Sequence, residues 1–181
     1  MTQTKIEYYG ISLPRLFFSS FFSLGLYELY WFYRQWLAVK KAQKSDIRPI
    51  LRSVLSPLFI FPLMFSVLRQ ARRGGAKVFP GEALLLSVIY LLSGIITSLR
   101  DLECTAWGEF VGIIVLYVIA ILPLLPLQAA VNFNNRQQFP NWRPAVHYND
   151  AEKRFMKIGG LLFVLACFGL AGCLYRMLLI W

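Results

Sequence analysis

The chain has 181 residues, 57% of them hydrophobic and 15% charged, with 19 basic against nine acidic side chains and a formal charge of +10. A water-soluble globule of this size must cover much of its surface with polar groups, so the balance excludes an ordinary soluble domain and leaves one compact membrane-embedded unit. The basic excess lies between apolar stretches and forms neither a motif nor a continuous face for nucleic acid, so the expected partner is a bilayer with anionic headgroups.

Five apolar stretches, 16–33, 53–68, 83–99, 110–131 and 158–181, predict an all-α polytopic transmembrane helix bundle with four or five membrane helices. A bilayer core of about 30 Å takes roughly 20 residues of helix, and the second stretch falls short of that. The first is long, rich in bulky aromatics and lacks a small-residue cleavage site, so it reads as a retained anchor rather than a signal peptide. Within it, Glu28 is an ionisable group in an apolar span, where such residues are costly and often functional. It precedes Arg34 by six residues, about 9 Å of helix, so its carboxylate is also within reach of the membrane surface or of an arginine such as Arg52 or Arg69.

The stretch closes on Gly25-Leu26-Tyr27-Glu28-Leu29-Tyr30-Trp31-Phe32-Tyr33-Arg34-Gln35-Trp36. Rings with polar edges favour the headgroup level, which makes Tyr30, Trp31, Tyr33 and Trp36 the expected interfacial anchors. With this block the chain resembles a group of small bacterial inner-membrane proteins of unknown function that share G-x-Y-x-x-Y-W-F-Y-K/R-x-W followed by a basic linker. The likeness extends through Ser56-Pro57-Leu58-Phe59-Ile60-Phe61-Pro62-Leu63 and through Leu122-Pro123-Leu124-Leu125-Pro126-Leu127-Gln128 into Asn132-Phe133-Asn134-Asn135. It implies a multipass protein of the cytoplasmic membrane and no assigned activity.

Linkers 34–52, 69–77 and 136–157 carry six, four and five basic residues, whereas 100–109 sets Arg100 against Asp101, Glu103 and Glu109. Basic short loops remain in the cytoplasm, so the acidic link is expected outside. If 53–68 crosses the bilayer, its two basic flanks fall on opposite sides. If it is re-entrant, all three basic linkers lie inside. Pro57 and Pro62 each remove a backbone donor and suit a bend, but a tilted, kinked crossing is equally open.

In the fourth stretch, Pro123 and Pro126 free the carbonyls of Ile119 and Leu122, while Gln128, Asn132 and Asn135 share one helical face. These amides can repair the broken ladder, dock a neighbouring helix or line a polar path. The last stretch sets Ala166, Gly169, Gly172 and Cys173 at close-packing spacing and ends on Arg176 and Trp181, an expected anchor. Cys104, Cys167 and Cys173 form no C-x-x-C pair, and His147 is the only histidine. No metal, cofactor or catalytic constellation is visible. The chain therefore reads as non-enzymatic: a binding, accessory or scaffold protein with a basic cytoplasmic face, able to meet a membrane-protein partner or a second copy. The alternative is a small carrier or channel built on Glu28 and the Gln128, Asn132, Asn135 stripe.

Overall fold

The computed structural model describes residues 6–79, 81–99 and 107–180. Among these it is all-α: α1 (Leu13–Phe22), α2 (Leu26–Gln43), α3 (Pro49–Val54), α4 (Ser56–Arg73), α5 (Glu82–Leu99), α6 (Trp107–Ile121), α7 (Leu124–Gln138) and α8 (Asp150–Ile180). The expected acidic residues Asp101 and Glu103, with Cys104 and Trp181, lie outside the described residues.

Several apolar stretches are divided in ways that local chemistry explains. The first is two helices rather than one, because Leu24 and Gly25 both take positive φ, at 49° and 83°. Glycine adopts that conformation without steric cost, and it stops α1 before α2 starts. Ser23 Oγ then accepts the Tyr27 N–H at 2.9 Å and helps open α2. The fourth stretch is interrupted by a turn at Leu122 and Pro123, just before α7. Pro57 sits in the first turn of α4, where a missing N–H costs nothing, and Pro62 is carried inside the same helix. Among the described residues one helical run, Ile114–Gln138, which joins α6 and α7 across the turn at Pro123, is long and apolar enough to cross a membrane, while Glu82–Ile96 is apolar but shorter.

The core forms where α2, α4 and α7 converge: Trp31, Phe32, Ile60, Met64, Val67, Leu127 and Val131 are all fully buried. Helix α5 packs on α4 and α6, and α8 packs on α1 and α2. Gly159 allows the close approach of α8 to α1, since a Cβ there would fall 2.6 Å from Ser23 Cα. Beyond it, α8 exposes Leu161, Val164, Leu165 and Phe168.

Helix α3 packs on α2, with the Arg52 guanidinium 4.3 Å from the Trp36 ring. The chain turns at Leu55 into α4, and the far end of α4 lines one cavity with the far end of α2: Gln43, Arg69, Gln70 and Arg73 share its wall with Ile6. Ile6 in turn donates its N–H to Gln138 Oε1 at 3.1 Å, which brings the end of α7 to the same place. Parts of the three basic linkers thus lie together, Gln43 beside Arg69, Gln70 and Arg73, with Gln138 joined to the same cavity through Ile6.

Candidate functional site

Residues 6–12 form an extended segment ahead of α1, and an extended backbone must find partners for every buried N–H and C=O. Here side-chain amides supply many of them. Asn135 is two-pronged, accepting the Tyr8 N–H at 3.0 Å and donating to the Tyr8 carbonyl at 2.7 Å. Gln35 grips Tyr9 in the same way, accepting its N–H at 3.2 Å and donating to its carbonyl at 2.8 Å. Asn132 Nδ2 donates to the Ile11 carbonyl at 2.8 Å, and the Ala145 N–H donates to the Gly10 carbonyl at 2.9 Å. An asparagine or glutamine amide presents the same donor and acceptor as a peptide group, so helices α2 and α7 stand in for the neighbouring strands of a sheet.

This assigns the Gln128, Asn132, Asn135 stripe a specific role. Gln128 accepts the indole N–H of Trp31 at 2.6 Å and donates to Asn132 Oδ1 at 2.8 Å, while Asn134 Nδ2 donates to the Val67 carbonyl at 2.9 Å. None of the stripe's amides bonds the Ile119 or Leu122 carbonyl, so ladder repair at Pro123 and Pro126 is not their work. The stripe binds α7 to α2 and to the N-terminal segment.

Two other expectations change. Tyr30, Trp31 and Trp36 are not exposed interfacial anchors but core residues, Trp31 with no accessible surface, and only Tyr33 of the four is half-exposed. Tyr30 packs on Phe155 of α8, Trp31 donates its indole N–H to Gln128 of α7, and Trp36 packs on Phe59 of α4, so α2 is enclosed on several sides. Glu28 meets neither Arg52 nor Arg69. It is 8% exposed, and its Oε2 accepts the Tyr90 hydroxyl at 3.2 Å. Arg52 lies instead over Trp36 and Phe59. Glu28 and the amide stripe therefore engage different partners.

The densest polar cluster was not among the sequence candidates. Glu152, 1% exposed at its side chain, pairs with Arg15 at 2.7 Å. Its Oε1 also accepts the Tyr27 hydroxyl at 2.8 Å and the Tyr9 hydroxyl. Arg15 further donates to the carbonyls of Ala145 at 2.7 Å and His147 at 3.2 Å, and it stacks 4.0 Å over Tyr148. Asn149 and Glu152 cap α8 reciprocally: Asn149 Oδ1 accepts the Glu152 N–H, and Glu152 Oε2 accepts the Asn149 N–H, both at 2.8 Å. This is a capping box, and the run Asn149-Asp150-Ala151-Glu152 is its sequence signal. Burial pushes the Glu152 carboxyl up, but the hydrogen bonds from Tyr9, the Asn149 N–H and Tyr27, with the charge of Arg15, outweigh it and hold the group below its ordinary value. Burial and the adjacent carboxylate push the Tyr9 hydroxyl up.

Chemically the cluster is a buried ion pair in which both terminal nitrogens of Arg15 and both oxygens of Glu152 are engaged and the Arg15 Nε is left without a partner, an arrangement suited to joining α1, α2 and α8. Among the described residues no group of three or more histidine, cysteine or acidic side chains could hold a metal. Compared with protein families, curated proteins and solved structures, the chain matches none.

Proposed function

We propose that this chain is a multipass inner-membrane protein that works by binding, an accessory or scaffold protein whose basic end faces the cytoplasm and anionic lipid. The observation that carries this reading is the convergence of the three basic linkers, with Gln43 and Gln70 on one cavity and Ile6 bound to Gln138 beside it. That arrangement supports the re-entrant topology for 53–68, in which the basic linkers share one side. The exposed apolar side chains of α5, α6 and α8, among them Leu92, Val115, Leu161, Leu165 and Phe168, support contact with hydrocarbon. Each Lys or Arg near an anionic surface adds about 1 kcal/mol of attraction.

The carrier reading keeps one observation in its favour: Glu28 is buried near the α1–α2 break with a tyrosine hydroxyl and no cation as its described partner. Purified protein in proteoliposomes separates the two. The scaffold reading predicts no proton or sodium flux above that of empty vesicles. Flux that the native chain supports and Glu28→Gln abolishes, with equal protein incorporation, would replace it with the carrier.

A further inference from the structure

A second cavity, of about 840 Å³, opens between the N-terminal segment, α2 and the loop after α7. Its floor on α2 is one helical face, Arg34, Leu37, Ala38 and Lys41, at steps of three and four residues. Tyr9 and Glu7 form one wall, and Trp142 and Arg143 form the other. Gly10 makes the enclosure possible: a Cβ there would lie 2.1 Å from the Trp142 ring, so only glycine lets the indole close against the segment.

Three cations and one acid line this space. Among the described residues the ion pairs are Arg15 with Glu152 and Lys153 with Asp150, so Arg34, Lys41 and Arg143 have no carboxylate at pairing distance. Arg34 is held in place beforehand: its Nη1 donates to the Tyr30 hydroxyl at 2.7 Å and its guanidinium lies 4.4 Å over the Tyr9 ring. A fixed guanidinium with unspent N–H groups loses little freedom on meeting an anion.

We propose that this cavity binds a phosphate monoester, with Arg34, Lys41 and Arg143 as its cationic donors. Two planar guanidinium forks and an ammonium suit the several oxygens and double charge of such a group better than a single carboxylate. The volume is that of a small-molecule site and far exceeds a bare phosphate, so the ligand has an organic part. Tyr9 and Trp142 offer that part an aromatic surface, and Glu7 accepts from a hydroxyl. The anion site rests on the geometry alone. Its assignment to a lipid headgroup rests on the proposed membrane reading.

The test uses the full chain in a neutral maltoside detergent and follows tryptophan emission during titration. The probes are short-chain phosphatidic acid, short-chain phosphatidylcholine, glycerol 3-phosphate and inorganic phosphate. Phosphatidic acid is expected to saturate, phosphatidylcholine not. The Lys41→Gln/Arg143→Gln pair should weaken binding at least tenfold, and Lys153→Gln/Lys157→Gln, on the exposed start of α8, should change it less than twofold. Saturation by phosphatidic acid alone assigns the site to a headgroup, equal saturation by glycerol 3-phosphate assigns it to a soluble ester, and equal saturation by inorganic phosphate would overturn the monoester assignment. Arg143→Gln alone, on the loop, carries the comparison if the double variant does not fold. The proposal is overturned if no phosphate probe saturates, or if the α8 pair weakens binding as much as the cavity pair. Saturation by a soluble ester with the chain recovered in the aqueous fraction would remove the membrane reading and keep the site. Membrane retention with no saturable probe would do the reverse.

Discussion

Replacing Glu152 by glutamine keeps the side chain's shape but removes the charge that answers Arg15, in a pair whose side chains are 1% and 7% exposed. An arginine left uncompensated in such a place costs about 3–5 kcal/mol, so Glu152→Gln should lower the melting temperature in detergent sharply, and Lys153→Gln, in an exposed pair, should leave it nearly unchanged. The pH dependence has a defined sign. Because the folded carboxyl titrates below its unfolded value of about 4.3, the pair's stabilisation is complete above that pH and is lost as pH falls through the folded value. Melting measured from pH 7 down to pH 3 should show an acid loss that is smaller in Glu152→Gln, and an equal loss in both would refute the role given to this carboxylate. The capping half of the cluster was legible in Asn149-Asp150-Ala151-Glu152. The ion pair was not, because Arg15 and Glu152 are brought together across the whole chain by the 145–149 loop.

At the level of elements, hydropathy located most helices but not their breaks. The stretch 16–33 is apolar on both sides of the break, and only Gly25 hints that two helices meet there. The positive φ at Leu24 goes with local hydrogen bonds, Leu24 N–H to the Phe21 carbonyl and Gly25 N–H to the Ser20 carbonyl, and leucine itself gives no sequence mark of it. The polar stripe on α7 was visible as spacing, yet its partner was not, since 6–12 is too short and irregular to read as a structural strand. Aromatic density in α2 suggested the membrane surface, but the same rings serve as core once α3, α7 and α8 enclose them. The α1–α8 contact gives a paired prediction. Gly159→Ala puts a Cβ 2.6 Å from Ser23 Cα, against backbone that cannot swing aside, and should cost about 1–3 kcal/mol. Gly160→Ala meets nothing within 4 Å and should be neutral or stabilise α8 by about 0.5–1 kcal/mol. Thermal melts of the two variants side by side check the helix register: equal effects would mean that α8 does not cross α1 at Gly159.

For the whole molecule, the amides of Asn132, Asn135 and Gln138, with Gln35 from α2, hold the N-terminal segment across the end where the basic linkers meet. Composition and charge spacing predict a basic cytoplasmic side, and the two topologies they leave open differ in whether the flanks of 53–68 part or rejoin. The decisive measurement is cysteine accessibility in intact cells, with Cys104, Cys167 and Cys173 replaced by serine and single cysteines placed at Gln43, Gln70 and Ala106. The account predicts that a membrane-impermeant maleimide labels position 106 at once and labels 43 and 70 only after the membrane is opened. Labelling of position 43 from outside while 70 stays protected would place the two basic linkers on opposite faces and contradict it.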